Sequence, residues 1–299
     1  MYVVLGASGN TGHIVAQQLL ADKQKVRVVG RSAAHLQAHA AQGAEVFIGD
    51  VTDAAALTKA FDQADSAYVM IPPNPSSDDP LGFSGRVSDA ITAAAKNSGI
   101  KNIVALSSVG ADKTSGTGPV LGLHNLEQKL NQLDNANILF LRAGYFMENA
   151  LPQATAIAHM GFAVGPFRPD LKLPMIATRD IGTAAADALL HRAFRGRQIQ
   201  ELHGQRDLNY NEVAAVIGKA IGRPDLKYKQ ISDDQVRSAM VQMGMSAKFA
   251  ELLVEMAGAL NSGEMKFLEP RNPGNTTATS FESFVSESFV AAYKQQSAA

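Results

Sequence analysis

The stretch Gly6-Ala7-Ser8-Gly9-Asn10-Thr11-Gly12 decides the fold of this chain. It follows the apolar run Tyr2-Val3-Val4-Leu5 directly, and a helical pattern of apolar residues begins just after it, at Ile14. A strand, a glycine turn and a helix start, in that order, form a phosphate site. The turn lets the main chain approach an anion, and the free N–H groups of the first helical turn point at it. The spacing is G-x-x-G-x-x-G rather than G-x-G-x-x-G, so the position between strand and helix is what favours a dinucleotide site over an ordinary structural turn.

The composition is that of a globular protein. The chain has 299 residues, of which 46% are hydrophobic and 18% charged, enough for one large domain or one and a half. The formal net charge of −1 gives no support for binding to nucleic acid or to an anionic membrane. The absence of cysteine excludes disulfides, thiolate metal sites and a cysteine nucleophile. With no signal-type segment and no apolar run near the ~20 residues of a membrane span, the sequence predicts a cytoplasmic protein without nucleic-acid or membrane partners.

Strand and helix patterns alternate through the first half of the chain. Strands are predicted over 2–5, 25–30, 44–48, 66–71, 101–107 and 137–142. Helices are predicted over 53–64, with Thr52 as the candidate cap, over 85–98 and over about 123–133. Repeated β-α-β units with right-handed crossovers predict an α/β fold with a doubly wound parallel sheet. Such sheets bind ligands outside the carboxyl ends of their strands.

The alternation loosens after residue 150. Glycine and proline make 161–175 a loop-rich connection, and 262–280 is predicted to be a loop before the last helix. Further helices are predicted over 179–195, 210–221 and 233–261. We therefore predict a cofactor-binding domain over 1–150, to which 176–205 returns, and a smaller, mostly helical substrate-binding lobe over 151–299.

The end of the second strand indicates which dinucleotide the site takes. An acidic residue there binds a free ribose 2′-hydroxyl, whereas an arginine accommodates a 2′-phosphate. This strand ends Val29-Gly30-Arg31-Ser32, without a carboxylate. Because Arg31 can clamp a phosphate with charge-assisted hydrogen bonds, the sequence predicts NADP(H) over NAD(H). The alternative is that Arg31 is simply a solvated side chain at a strand end.

The other strand ends should face the same crevice. Asp50 either hydrogen-bonds the adenine amino group or caps the next helix, and the sequence leaves both open. Ile71 and Pro72 are predicted to form a stiff apolar wall near the ribose or the nicotinamide. The residues predicted to contact the cofactor are Gly6, Ser8, Gly9, Asn10, Thr11, Gly12, Arg31, Asp50, Val51, Ile71, Pro72, Ser107, Ser108, Gly144 and Phe146.

Together, these segments resemble the NmrA-like group of atypical short-chain dehydrogenases/reductases. The matching segments are Gly6 to Gly12, Gly30-Arg31, Gly49-Asp50, Ser107 to Gly110, Leu141 to Asn149, Arg179 to Gly182 and Leu208 to Ala214. The resemblance covers most of the chain and implies a Rossmann domain with a small C-terminal lobe and NADP(H) bound at the glycine turn. It implies no single function, since similar members include reductases of quinones, dyes and other small compounds as well as cofactor-sensing regulators.

The catalytic equipment departs from that of the wider superfamily. Hydride transfer to a carbonyl needs a proton donor or fixed oxyanion donors, which the superfamily supplies with Tyr-x-x-x-Lys. Here His124 stands at the Tyr position and Gln128 at the Lys position. Several residues can substitute for the dyad. His124 can donate a proton near neutral pH or merely cap or pack a helix, Ser107 or Ser108 can hydrogen-bond a substrate oxygen, and Tyr145 can bring its phenol to the crevice. The residues predicted to shape the acceptor pocket are Pro73, Val109, His124, Phe146, Met147 and Asn149.

The leading hypothesis is an NADPH-dependent reductase that transfers hydride to a small electron-poor acceptor, either a quinone or an activated carbonyl or conjugated compound. Such acceptors need little acid catalysis. The alternative is a non-catalytic NADP(H)-binding sensor that acts through a protein partner, and the missing dyad favours it. His35 and His39 stand four residues apart on a helix that looks solvated, but no third ligand is evident, so no metal is predicted. The sequence leaves open whether the chain is a monomer or a homodimer.

Overall fold

Seven parallel strands form the centre of the protein, and the computed structural model describes residues 1–297. Numbered in chain order, the strands of this sheet are β1 (Tyr2–Leu5), β2 (Val26–Gly30), β3 (Glu45–Ile48), β4 (Ser66–Val69), β5 (Asn102–Ser108), β6 (Asn137–Ala143) and β10 (Arg197–Leu202). Their order across the sheet is β3-β2-β1-β4-β5-β6-β10, and every neighbouring pair is parallel. The predicted doubly wound α/β fold is confirmed. The strand order reverses between β1 and β4, which is where such sheets bind ligands.

Helices cover both faces of this sheet. They are α1 (Asn10–Ala21), α2 (Ala33–Ala41) and α7 (Thr178–His191) on one face and α3 (Ala54–Phe61), α4 (Pro80–Ser98) and α5 (Val120–Leu130) on the other. Strand β1 shows how both faces of the sheet are buried. Tyr2 and Val4 join the core under α1 and α7, while Val3 and Leu5 join the core under α3 and α4. Each such aliphatic side chain contributes about 1.5–3 kcal/mol when fully buried.

Several element boundaries differ from the sequence predictions. Helix α4 begins at Pro80, five residues before the predicted start, because Asp79 caps it by accepting from Gly82 N. The predicted cap Thr52 is wrong. Asp53 caps α3 by accepting from the amides of Ala55 and Ala56, while Thr52 donates to Asp50.

The second half of the chain carries short strands as well as helices. They are β7 (Tyr145–Phe146), α6 (Gln153–Met160), β8 (Ala163–Gly165), β9 (Leu173–Ile176), β11 (Asp207–Leu208), α8 (Tyr210–Ala220), β12 (Tyr228–Gln230), α9 (Asp233–Gln242), α10 (Ala247–Ser262), α11 (Phe281–Phe284) and α12 (Val290–Ser297), with a 3₁₀ turn over Met147–Ala150 and a π-helical turn over Val285–Phe289. The predicted loop 161–175 therefore contains two strands. The predicted single helix 233–261 is two helices, because the chain reverses at Gly244, where φ is +90°.

The two halves interlock. Helix α7 packs directly on α1, and a Cβ at Gly182 would lie 2.6 Å from Ile14 Cβ and 2.8 Å from Thr11 O. Strand β10 pairs with β6 and so returns the chain to the central sheet. The division into domains at residue 150 stays a prediction. Among residues 1–297, no helix is both long and apolar enough to cross a membrane.

Candidate functional site

The glycine turn between β1 and α1 presents unpaired amides. Gly6 adopts a φ of +67°, and Gly9 N donates to Gly6 O at 2.9 Å, which closes the turn. The first bond of helix α1 runs from His13 N to Gly9 O, so the amides of the three residues before His13 precede the intrahelical ladder. Ser8, Gly9 and Asn10 are exposed. This end of the helix is free to bind an anion.

Glycine is required at two positions of this turn. A Cβ at Gly12 would lie 2.3 Å from Gly6 O and 2.9 Å from Leu5 O, so any side chain would separate helix α1 from the turn. A Cβ at Gly6 would lie 2.8 Å from Met70 Sδ. Beside the turn, Tyr68 on β4 donates to Thr11 Oγ1 at 2.8 Å. The turn is thus packed against Met70 and Tyr68 on one side, and Ser8, Gly9 and Asn10 are exposed on the other.

Arg31 and Asp50 stand at the carboxyl ends of neighbouring strands β2 and β3, and both are exposed. Hydrogen bonds from Thr52 lower the pKa of the Asp50 carboxyl, and the positive charge of Arg31 lowers it further. Asp50 therefore carries a negative charge near the guanidinium of Arg31. The alternative that Asp50 caps the next helix is wrong, because Asp53 provides that cap. The contact of Asp50 with the adenine amino group stays a prediction. Val51, the next residue, packs partly buried against the core under α3 and α4.

A first cavity of about 370 Å³ lies at the carboxyl ends of β4 and β5. It adjoins the point where the strand order reverses. The sequence-predicted residues that line it are Ile71, Pro72, Pro73, Ser107, Ser108, Phe146 and Asn149. Phe249 and Leu252 of α10 close it from the opposite side. A hydrogen bond joins the segment after β4 to the start of α10, since Ser246 N donates to Pro75 O at 2.8 Å.

A second cavity, of about 440 Å³, lies beside the first and shares Ser108, Phe146 and Asn149 with it. The sequence-predicted residues Val109, Gly144 and Tyr145 line this cavity only. Its remaining wall comes from the second half of the chain: Leu171, Lys172, Leu173, Pro174, His203, Asp207, Leu253, Met256, Leu260, Gly263, Met265, Lys266 and Phe267. The two cavities together form a mostly apolar cleft between the strand ends and the C-terminal helices, which suits an aromatic ligand.

Two predicted pocket residues lie elsewhere. His124 lines neither cavity, because its Nδ1 donates to Ala111 O at 2.8 Å and its neighbour Leu123 faces the first cavity instead. Met147 is 2% exposed and packs in the core of the second half, since the 3₁₀ turn that begins there turns its side chain inward. The catalytic role of His124 stays a prediction that the geometry does not support.

Ser107 is committed to a buried network. Its hydroxyl donates to Glu127 Oε1 at 2.6 Å, and Arg142 holds the same carboxylate through two nitrogen atoms. All three residues are less than one-tenth exposed. Ser107 therefore contributes to the wall of the first cavity, whereas its hydroxyl hydrogen is directed away from a ligand.

Tyr145 lies at the second cavity beside Tyr210, with their hydroxyl oxygens 3.5 Å apart. Burial raises the pKa of the Tyr145 phenol, and hydrogen bonds to Tyr210 and Asn149 offset this only in part. The phenol is thus neutral at physiological pH and keeps a proton that it can share with an oxygen in the cavity.

Sequence reasoning missed His203. Its imidazole is 5% exposed and stacks on Phe267 with ring centroids 3.9 Å apart, and both rings line the second cavity. Within the part of the chain that the structure describes, His203 Nε2 is a buried atom without a hydrogen-bond partner. Burial lowers the pKa of His203, and Arg271 lowers it further. In the sequence, His203 directly follows Leu202, the apolar end of β10. The apolar patterns did not predict that strand, so they gave no other signal for His203.

Another missed feature is the segment Met265–Phe267, which covers the second cavity. Glu201 on β10 holds it in place by accepting hydrogen bonds from the amides of Leu268 and Glu269, at 2.7–3.0 Å. Glu201 is 3% exposed. A buried carboxylate with amide donors fixes the main chain more firmly than a neutral acceptor would, so this wall of the cavity is preformed.

Comparisons with known proteins agree with this architecture. The model of the NmrA-like family matches residues 2–284. Quinone oxidoreductase 2 of Escherichia coli (strain K12) is 29% identical over 271 residues, which span 88% of this chain and 89% of that protein. The crystal structure of the NADPH-dependent quinone oxidoreductase of E. coli in complex with NADPH is 25% identical, with a TM-score of 0.77 over 89% of this chain and 91% of that one. The Citrobacter sp. triphenylmethane reductase in complex with NADP(H) shares the fold, with a TM-score of 0.79 and 18% identity over 99% of this chain and 100% of that one.

Proposed function

Because the chain belongs to the NmrA-like family, we propose that it is an NADPH-dependent reductase that transfers hydride to a quinone or a similarly electron-poor acceptor. The observation that supports this most strongly is the pair of connected apolar cavities at the strand ends, directly beside the point where the strand order reverses. The relatives named above as NADPH-dependent quinone oxidoreductases cover nearly the whole chain. The predicted enzyme class and the predicted cofactor, NADP(H), agree with these relatives.

The residues present fit an NADP(H) dinucleotide. The cradle at Gly12 and Gly6 excludes any side chain and leaves the amides of the first turn of α1 for a pyrophosphate. Arg31 follows β2 and would hold the 2′-phosphate, with no carboxylate in its own strand end to compete with it. Ile71 and Pro72 would form an apolar wall at the first cavity. When bound there, the reduced nicotinamide supplies the hydride.

The second cavity is the proposed acceptor site. Ser108, Phe146 and Asn149 belong to both cavities and therefore stand between the two bound molecules. Its apolar lining and the cover provided by Met265 and Phe267 exclude water from a flat aromatic acceptor. Lys266, Lys172 and Asp207 also line this cavity, and Lys172 pairs with Glu212 at 3.3 Å, so this side of the cavity carries charges of both signs.

The reaction proposed here needs little acid catalysis. No Tyr-x-x-x-Lys dyad is present at Gly122–Lys129, and Ser107 holds its hydrogen toward Glu127. The second cavity is lined by side chains that can hydrogen-bond an acceptor oxygen, among them the Tyr145 hydroxyl, Asn149 and the His203 imidazole. A strongly polarised acceptor such as a quinone forms a stabilised anion, which water can protonate. An unactivated ketone would be a poor substrate for this site.

The experiment that tests the proposal follows the oxidation of NADPH, by the loss of its absorbance, with matched acceptors. A panel of benzoquinones and naphthoquinones is compared with unactivated ketones of the same size. We expect turnover with the quinones and little or none with the ketones. Tight binding of NADPH without turnover of any acceptor would overturn the reductase and favour a cofactor sensor, and equal turnover of both classes would overturn the proposed acceptor class.

A further inference from the structure

A pair of histidines supports the glycine turn from beneath. His39 of α2 is 1% exposed, and its Nε2 lies 3.0 Å from Ala7 O and 3.1 Å from His13 Nδ1. The two imidazole rings are 4.8 Å apart between centroids. Ala7 is fully buried in the middle of the turn. The expectation that helix α2 is solvated is therefore wrong at His39, because the face that carries Leu36 and His39 packs under the turn.

The contacts fix the protonation of this pair. A carbonyl oxygen only accepts, so His39 Nε2 must carry the hydrogen that faces Ala7 O. The same hydrogen faces His13 Nδ1, which therefore holds a lone pair. Burial lowers the pKa of His39, the Ala7 carbonyl raises it, and His13 lowers it again, with the net shift downward. His39 is thus a neutral donor that anchors the turn without adding a charge to it.

Helix α2 also begins where the second phosphate would bind. Arg31 and Ser32 follow strand β2, which ends at Gly30, and the helix starts at the next residue, Ala33. One end of α2 is therefore set by the segment that would hold the 2′-phosphate. The other end carries His39, which is hydrogen-bonded to the turn that would hold the pyrophosphate. In the described residues 1–297, the His39–Ala7 bond is the only side-chain hydrogen bond that joins α2 to the glycine turn.

We infer that His39 is a positioning residue that couples the two phosphate subsites of the dinucleotide, an inference that rests on the proposed function. NADPH must engage the turn and Arg31 at once, so it depends on the distance between them. NADH lacks the 2′-phosphate and depends mainly on the turn. Supporting hydrogen bonds of this kind hold binding groups within the narrow tolerance that tight binding needs. Loss of His39 therefore weakens the binding of NADPH more than that of NADH.

The test uses the dissociation constants of NADPH and NADH, measured by nucleotide fluorescence on the purified full-length protein. Losing a hydrogen bond worth about 1 kcal/mol predicts that His39→Leu lowers the preference for NADPH over NADH by about fivefold. His39→Gln keeps an N–H donor of similar reach and should retain most of the preference. His35→Leu is the matched control, since His35 is exposed on the same helix and should change nothing.

A second measurement does not depend on the cofactor. Amide hydrogen exchange over residues 6–12 of the free protein should be faster in His39→Leu than in the wild type, and unchanged in His35→Leu. If the leucine variant fails to fold, His39→Met, which fills the same volume with a flexible side chain, takes its place.

The outcomes separate this inference from the proposed function. An unchanged preference in His39→Leu, or an equal loss of affinity for both dinucleotides, overturns the coupling while the reductase stands. A preference lost as fully in His39→Gln as in His39→Leu also overturns it, since the hydrogen bond would then not be the cause. Failure of the wild-type protein to bind either dinucleotide overturns the proposed function and this inference together.

Discussion

Arg142 on β6 and Glu127 on α5 form a bidentate ion pair beneath the cleft, with Nε–Oε1 and Nη2–Oε2 distances of 3.0 and 2.6 Å. Their side chains are only 7% and 4% exposed. Removing one partner of a buried pair leaves an uncompensated charge, which costs about 3–5 kcal/mol. We therefore expect Glu127→Gln to lower the free energy of unfolding by that amount in urea denaturation. Asp234→Asn is the control, since its pair with Arg237 is exposed and should cost less than ~1 kcal/mol. Similar losses in the two variants would contradict this account of the pair.

The glycine turn gives a prediction with a matched pair of substitutions. Gly12→Ala places a Cβ 2.3 Å from Gly6 O, so helix α1 must move away from the turn, and we expect the loss of both NADPH binding and several kcal/mol of stability (~2–4). Gly258→Ala adds the same methyl group inside α10, where nothing lies within 4 Å. It should stabilise the protein by about 0.5–1 kcal/mol. Thermal denaturation and NADPH titration of the two variants check both signs, and a Gly12→Ala protein with normal affinity would exclude the turn as the pyrophosphate site.

Arg31 gives a prediction about cofactor choice. Charge-assisted hydrogen bonds to a phosphate contribute about 1.5–3 kcal/mol, so Arg31→Ala should raise the dissociation constant of NADPH by roughly tenfold to a hundredfold. The constant for NADH should stay nearly the same. Arg86→Ala removes an exposed guanidinium of α4 that pairs with Asp79, and it serves as the control. Fluorescence titration of the wild type and the two variants with NADPH and NADH measures all six dissociation constants. Equal NADPH affinity in wild type and Arg31→Ala would remove Arg31 from the site.

His203 gives a prediction about the acceptor. Its ring lines the second cavity, and its buried Nε2 has no hydrogen-bond partner within residues 1–297, so we expect an acceptor oxygen to pair with it. His203→Phe keeps the stacking on Phe267 but removes the nitrogen, so we expect KM for a quinone to rise about fivefold with the NADPH dissociation constant unchanged. His159→Phe, an exposed position on α6, is the control. A KM that does not move in His203→Phe would place the acceptor elsewhere in the cleft.

The buried histidines predict a pH dependence of stability. Burial lowers the pKa of both His39 and His203 below the ordinary value of 6.5. The unfolded chain then binds more protons than the folded one below that pH, so the free energy of unfolding is highest above about pH 6.5 and falls as the pH drops below it. The double variant His39→Gln, His203→Gln should show a shallower fall between pH 6.5 and 5. Urea denaturation across this range is the measurement, and parallel curves for the two proteins would contradict the assignment.

The sequence was sufficient to predict the first six strands and their role. Each is a short apolar run bounded by turn residues. Two helix layers bury five of them on both faces, whereas β3 at the edge of the sheet stays partly exposed. Strand β10 could not be found in this way, because Arg197, Gln198, Gln200 and Glu201 interrupt its pattern. Only its pairing with β6 makes it a strand. The same applies to β8 and β12, which are three residues each and exist because they pair with one another.

The candidate site was predictable where it depends on local chain geometry. The strand ends after β4, β5 and β6 follow from the order of elements and lie at the cleft. The glycine turn follows from the same order of elements. His203 and Phe267 could not be placed there, because they come from distant segments that the fold brings together. The sequence shows that His39 stands four residues after His35 on a helix. A helical pattern does not show which other segment packs against that face of the helix. Its contact with Ala7 is a tertiary one.

The late return of β10 to the sheet has a consequence for how this protein is made. Residues 138–143 of β6 pair with residues 197–202, so a nascent chain that has emerged only as far as residue 150 carries an unsatisfied row of main-chain donors and acceptors along an otherwise completed sheet. Such an open margin is a template for pairing between neighbouring molecules. Helix α7 and strand β10 must therefore be synthesised before the edge of β6 in the first half of the chain is protected from aggregation.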